Sequence, residues 1–290
     1  MFKKLMMSFF ILICAHGQAE IHTISLIEDM RSYVTDNDSL VLFDVDDTLI
    51  ASPTSLGGIA WRPWARSKLP KGGTDFVLYD ALTLYIAKKV PYIPVEPAIP
   101  RLISDLQQEG VTVLALTSRG RAQWYTTNVA GIDALTIQQL KHVGMDFART
   151  AIPSRLKELK SVDLYEGILF AEHISKGDLL KTLLSDSGYR PAQIIFVDDR
   201  FDHIQSVEAA AQELRIPFIG FWYKRAEINA SGFDPMVANV QFEGLFLENT
   251  IYSEAKAKAI AAGLLEVDPV EFFKEIVEKL DLEKLAPAPF

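Results

Sequence analysis

The sequence predicts an α/β fold: a doubly wound, Rossmann-like parallel sheet with a small cap insertion and C-terminal helices. Three observations predict it. Short apolar runs recur at 40–43, 111–116, 194–197 and 218–222; helical patterns occupy 97–109, 121–143, 177–187 and 201–213; and each apolar run ends in polar residues. Strands alternating with helices imply a parallel sheet covered on both faces, and in such sheets ligands sit beyond the C-terminal strand ends. Core packing alone gives no reason to gather acids, Thr and Arg at that one edge.

Taken in order, the chain opens with Lys3 and Lys4, an apolar stretch over 5–15, and small residues at Gly17 and Ala19. This is the order of a secretory signal peptide, with cleavage expected after Ala19. The alternative, a membrane anchor, fits less well because the apolar stretch falls short of the ~20 residues that span a bilayer. Cys14 is the only cysteine and leaves with residues 1–19, so the exported chain holds neither disulfide nor thiol. Lipidation at Cys14 is disfavoured by the bulk of Ile13 before it. Cleavage also removes Lys3 and Lys4 and no acid, taking the formal charge from −9 to −11. A chain this acidic is not a general nucleic-acid or anionic-membrane binder, though a phosphorylated substrate can still meet a locally positive pocket.

Ile24, Ile27, Met30 and Tyr33 recur every three residues and predict a short helix leading into the strand at 40–43, at whose end stands Asp44. Residues 52–95 break the alternation with Gly57-Gly58, Trp61, Trp64, Gly72-Gly73 and prolines, and read as a small cap with a helix near 80–88. The core is then 20–51 and 96–225. Within it, 146–175 holds Pro153 and the apolar run 167–171, suiting a hairpin or short extra strand before Lys176. Residues 226–290 read as a helical extension packed on the core, clearest at 253–264 and 269–280. Its stripe of Phe272, Phe273, Ile276, Val277 and Leu280 is expected to be helix packing.

Two carboxylates one residue apart at a buried strand end, Asp44 and Asp46, raise each other's pKa and need a cation beside them. A divalent hard cation such as Mg²⁺ suits oxygen ligands, and Asp198 and Asp199 after a later strand are natural further ligands. An Asp-x-Asp alone is a weak signal, because Asp so often serves turns. Its conjunction with a hydroxyl ending the next strand, a Lys opening a helix and a second Asp pair is a much stronger one.

At these residues the chain resembles the haloacid dehalogenase-like (HAD) superfamily. Four motifs match in order: Asp44-Val45-Asp46-Asp47-Thr48, Leu116-Thr117-Ser118-Arg119, Lys176-Gly177 and Phe196-Val197-Asp198-Asp199. The resemblance covers about 39–223. The cassettes at 116–119, 175–177 and 220–223 are also similar to an exported bacterial branch of unknown function. The resemblance implies a HAD core and a Mg²⁺-dependent phosphatase in which Asp44 attacks phosphorus and Asp46 is general acid and base. It implies further that Thr117 and Lys176 are catalytic and that Thr117, Ser118, Arg119 and Lys176 hold the substrate. The metal would be held by Asp44, the Asp46 main-chain carbonyl and Asp199, with Asp198 in support, directly or through water. Some relatives in the superfamily carry an acid four residues after the last ligand; here that position is His203 and Asp202 is one short.

Plainer roles stand beside these. Thr48 serves the turn after the strand, and Arg119 either binds substrate or pairs with an acid. His173 and His203 are expected to be structural or solvent-facing. Trp61, Arg62, Trp64 and Arg66 read either as a substrate platform or as the small core of the cap, the latter favoured for at least one tryptophan.

The leading function is phosphate monoester hydrolysis of a small molecule or phosphoprotein, by an exported protein, periplasmic or secreted, with no membrane attachment after cleavage. The alternatives are a phosphomutase and an exported binding or effector protein that keeps the fold with weak catalysis. Halide removal would leave Asp46 and the metal-binding acids superfluous. A phosphoacceptor switch normally carries its acidic pair on the first strand and the phosphorylated Asp on a later one.

Overall fold

A run as uniformly apolar as Leu40-Val41-Leu42-Phe43 is satisfied only if both faces of its strand are covered. That is where it lies. The structure, a computed structural model, describes residues 19–69, 73–121, 123–124, 127–128, 131–157, 162 and 164–280. The signal-peptide assignment lies outside them except for Ala19, as does the Ala-Pro tail.

In chain order the strands are β1 (Ala19–Ile24), β2 (Ser39–Phe43), β3 (Ile50–Ala51), β4 (Ile93–Pro94), β5 (Thr112–Thr117), β6 (Gln123–Trp124), β7 (Thr127–Asn128), β8 (Leu164–Tyr165), β9 (Ile168–Phe170), β10 (Gln193–Asp198) and β11 (Phe218–Tyr223). The central sheet runs β1-β11-β10-β2-β5-β9-β8, parallel throughout except for the edge strand β8. From β2 the chain builds outward through β5 to β9, then returns to β10 on the other side. The C-terminal end of β2 is therefore the switch point where α/β sheets leave a crevice for ligands.

Alternation along the strands fills two layers. Val41, Phe43, Val113, Ala115, Ile195 and Val197 face one apolar cluster, whereas Leu40, Leu42, Leu114, Leu116, Ile194 and Phe196 face the other. The first layer is covered by α3 (Ile99–Gln108) and α4 (Ile132–His142), the second by α6 (Lys176–Ser187) and α7 (Phe201–Leu214). Gly177 lets α6 and α7 approach, since a Cβ there would lie 2.0 Å from the Ser206 carbonyl oxygen.

Two expectations for the core change in detail. The stripe at 24–33 is a 3-10 helix, Ile27–Tyr33, and its three-residue spacing is the period of that helix. Residues Ala19–Ile24 before it form the edge strand, so the expected cleavage point falls at the strand's first residue. Among the described residues of the helical pattern at 121–143, the helix spans Ile132–His142, where Gly131 at φ 84° starts it. The pair β6–β7 precedes it.

The antiparallel pair β3–β4 is the stem of the 52–95 insertion, which carries α1 (Trp61–Lys68) and α2 (Gly73–Lys89). After β11 come α8 (Arg225–Asn229), α9 (Pro235–Leu247), α10 (Glu254–Ala261) and α11 (Pro269–Glu278). The start of this extension touches the core, with Ala226 in the sheet's apolar cluster, while α9 and α11 bury their apolar faces against the insertion: Trp61, Ala65, Leu82 and Ile86 share one cluster with Phe242, Leu245, Phe273 and Ile276. The physical reason is supply, because the insertion's two helices alone cannot cover Trp61 and Leu82. A polar seam closes the junction, with Ser55 N and Oγ donating to Glu254 at 3.0 and 2.9 Å and Leu56 N donating to Gln241 Oε1 at 2.9 Å.

Trp61 is fully buried, and its indole N–H has no hydrogen-bond partner among the described residues. Trp61→Ala is expected to lower unfolding stability by ~3–5 kcal/mol. Trp61→Phe should cost less than half of that, because it forfeits no hydrogen bond. Denaturant titration of the two variants checks the order.

Candidate active site

The turn after β2 is tight. Val45 O accepts from Leu49 N and Ile50 N, both at 3.0 Å, and Asp47 N donates to Ile50 O at 2.8 Å, with Asp47 in the left-handed region at φ 63°. Asp is among the few side chains that tolerate this conformation. The turn sends Asp44 and Asp46 upward at the sheet edge while burying Val45 and Leu49. Thr48 Oγ1, expected to serve this turn, instead accepts from Asp199 N at 3.1 Å, so the first and fourth motifs are tied directly.

The floor of the site is a buried ion cluster. Lys176, first residue of α6, is capped into place by Ser175, whose Oγ accepts from Asp178 N at 3.0 Å. Its ammonium donates to Asp44 Oδ1 and, at 2.7 Å, to Asp198 Oδ2. Asp198 also accepts from Arg200 N at 2.8 Å and lies 3.1 Å from His203 Nδ1. Carboxylate oxygens of Asp44, Asp198 and Asp199 lie within 4.8 Å of one another.

Charge in this cluster is unbalanced. Burial pushes the Asp44 carboxyl up, Lys176 opposes it, and the result is a pKa of about 6. Burial together with Asp44 and Asp198 drives Asp199 up to about 8. Burial works against the ionised Asp198 too, but Lys176 and His203 overcome it and hold its pKa low. For Lys176, burial would lower the ammonium, and Asp198 and Asp44 outweigh it so that its pKa is raised. Three acids thus share one ammonium, and the two left short of positive charge, Asp44 and Asp199, are those that fit a hard divalent cation.

Thr117 ends β5 and lines, with Ser118, the same cleft of about 520 Å³ that exposes Asp44, Asp46 and Asp199. Lys176 is buried beneath it, against Asp44 and Asp198. Of the two roles the sequence left open for Arg119, the structure shows the pairing with an acid. Its side chain is buried and grips Asp46 with both arms, Nε to Oδ2 at 2.8 Å and an Nη to Oδ1 at 2.7 Å, while Thr136 and Gln139 hold the other Nη at 3.1 and 2.7 Å. Burial would raise Asp46, and Arg119 outweighs it, so the carboxyl is held below its usual range.

Two further side chains escape a reading by motif. His203, expected to be structural or solvent-facing, braces Asp198 from the cleft wall. Arg62 on α1 forms an ion pair with Asp47. Trp61 and Trp64 face away, packed on Phe242 and Phe273, so both tryptophans belong to the cap's apolar interior while Arg62 and Arg66 line the cleft. His173 remains at the surface beside Glu172.

Over residues 23–257 the sequence matches the family described as "Protein of unknown function (DUF2608)". Among curated proteins it is similar to a "Putative outer membrane protein" of Chlamydia trachomatis, 24% identical over 249 residues, covering 84% of this chain and 91% of that one. Proteins with the same description from Chlamydia pneumoniae and Chlamydia muridarum are each 26% identical, covering 82% and 86% of this chain and 88% and 94% of theirs. No solved structure matches. Among the described residues no helix is long and apolar enough to cross a membrane.

Proposed function

The chain belongs to the DUF2608 family, and from there we propose that it is an exported, Mg²⁺-dependent phosphohydrolase of the HAD type, working through an aspartyl-phosphate on Asp44. One observation carries the reading: the ends of three neighbouring strands, β5, β2 and β10, bring Thr117, Asp44 and the Asp198–Asp199 pair together around one buried lysine. The N-terminal order of lysines, apolar residues and small residues supports export, as do the outer-membrane descriptions of the chlamydial relatives.

In this reading Asp44 Oδ attacks phosphorus as the bond to the leaving oxygen breaks, leaving phosphate on Asp44. Lys176 keeps Asp44 ionised and aimed. Thr117 Oγ1 accepts from Arg119 N at 3.1 Å, which leaves its hydroxyl hydrogen to donate to the phosphoryl group. Asp46 passes a proton to the leaving oxygen and takes one from the water that then releases phosphate. The grip of Arg119 fixes its carboxylate and weights it toward the second of these tasks. Asp44 and Asp199, with the Asp46 main-chain carbonyl, would hold Mg²⁺, which supplies neutralisation of the phosphoryl charge.

The test is phosphate release from a chromogenic phosphate monoester by signal-processed protein, with Mg²⁺ and with excess chelator. Release that chelator abolishes is the expected result. If no ester of a broad panel is hydrolysed, the reading falls in favour of a binding protein.

Metal and protons should compete. Asp44 and Asp199 have folded pKa values of about 6 and about 8, both above the ordinary 3.8. Without metal their contribution to stability is full below pH 3.8 and is lost as pH rises through 6 and then 8. Mg²⁺ restores it by binding the ionised forms. The Mg²⁺-induced rise in Tm is therefore expected to grow between pH 6 and 8 and level off above. Apparent affinity should gain about tenfold per pH unit for each proton displaced. Thermal melts across that range, with and without Mg²⁺, check it, and a Mg²⁺ effect independent of pH would contradict the cluster's charge assignment.

A further inference from the structure

Helix α1 has two faces set one turn apart. Trp61 and Ala65, four residues apart, are buried in the junction with α9, which leaves Arg62 and Arg66, also four apart, on the side that lines the cleft. Tyr79 of α2 braces the pair: its hydroxyl donates to the Arg62 carbonyl oxygen at 3.3 Å, and its ring lies 5.5 Å from the Arg66 guanidinium carbon. Arg62 is the inner member, paired with Asp47 and close enough to Asp46 and Asp199 for its charge to act on both. Arg66 stands one helical turn further out, ~6 Å along the axis.

We propose that Arg62 and Arg66 form an anion subsite, so that the substrate is a small molecule carrying a second anionic group about one helical turn beyond the phosphoryl group that reacts at Asp44. This rests on the phosphohydrolase reading and specifies its substrate class. Several features support it. A cleft of about 520 Å³ has the size of a small-molecule site. Guanidinium forks match phosphate and carboxylate oxygens in pairs, and a guanidinium stacked on a phenol ring has lost part of its freedom before the ligand arrives. The protein as a whole is acidic, at −9, so two arginines on the cleft-facing side of a short helix run against its general charge. Asp80 of α2 lines the same cleft.

The experiment compares phenyl phosphate with 1,4-phenylene bisphosphate as substrates of the Mg²⁺-loaded protein, and phenylphosphonate with 1,4-phenylene bisphosphonate as calorimetric ligands of Asp44→Asn. The bisphosphate is expected to exceed the monophosphate at least tenfold in kcat/KM, mainly through KM. The bisphosphonate should bind at least tenfold more tightly than the monophosphonate. Arg66→Gln, at an exposed position, should bring both ratios to within about threefold of unity. Ratios near unity in the parent protein, or unchanged by Arg66→Gln, would overturn the subsite. If neither ester is hydrolysed the phosphohydrolase reading fails, and the phosphonate binding ratios still decide the subsite.

Discussion

Asp44→Asn is expected to reduce Mg²⁺-dependent phosphate release by ~10⁴-fold or more, the scale on which loss of a nucleophile registers when the remaining machinery is intact. An amide cannot form the acyl-phosphate bond, yet it has the size of the carboxyl it replaces and keeps an oxygen to accept from Lys176. The loss should therefore not be a folding defect. Asp44 is one of three acids sharing one ammonium, and burial raises its pKa to about 6. Removing its charge should leave the metal-free variant at least as stable as the parent at pH 8. Phosphate release and thermal melts on the same preparation separate the two effects. Activity within tenfold of the parent would remove Asp44 from the nucleophile's role.

Lys176→Met should be the reverse case, costly to the fold as well as to the chemistry. The methionine fills much of the same volume but strands Asp44 and Asp198, both buried, without their shared cation. Removing one partner of a buried ionic group costs ~3–5 kcal/mol, mostly as the penalty on the charges left behind. The sign of the pH dependence follows. Without Lys176 both carboxyls titrate at higher pH, and protonation relieves them, so the deficit is widest near pH 8 and narrows toward pH 5. Denaturant midpoints at the two pH values measure this. A midpoint equal to the parent's at pH 8 would show that the ammonium does not hold the cluster together.

Much of this site was legible because its chemistry follows the chain's own punctuation. Asp44, Thr117 and Asp198 stand where apolar runs stop, and the alternation of strand and helix brings such stops to one edge. Lys176 was legible as the first residue of a helix announced by Ser175. What stayed hidden was partnership. Arg119 stood out in its motif, but its pairing with Asp46, 73 residues earlier, is a distance that no local pattern encodes. His203 was legible only as a substitution in a motif, and its contact with Asp198 depends on how α7 leaves β10. The C-terminal stripe at Phe272–Leu280 was rightly read as helix packing, but periodicity reports which face is buried and not what buries it. The 3-10 helix at Ile27–Tyr33 shows the same limit at short range, since so short a run of the 3-10 period does not exclude an α-helix.

The merger of the insertion with the C-terminal helices changes how the cleft can move. An insertion on its own stem swings on two chain crossings, here at Ile50–Ala51 and Ile93–Pro94. Because α9 and α11 share its apolar interior, a third crossing after β11 joins the same body to the sheet. Any motion that widened the cleft at the wall carrying Arg62 and Arg66 would therefore have to carry the insertion and the C-terminal helices together.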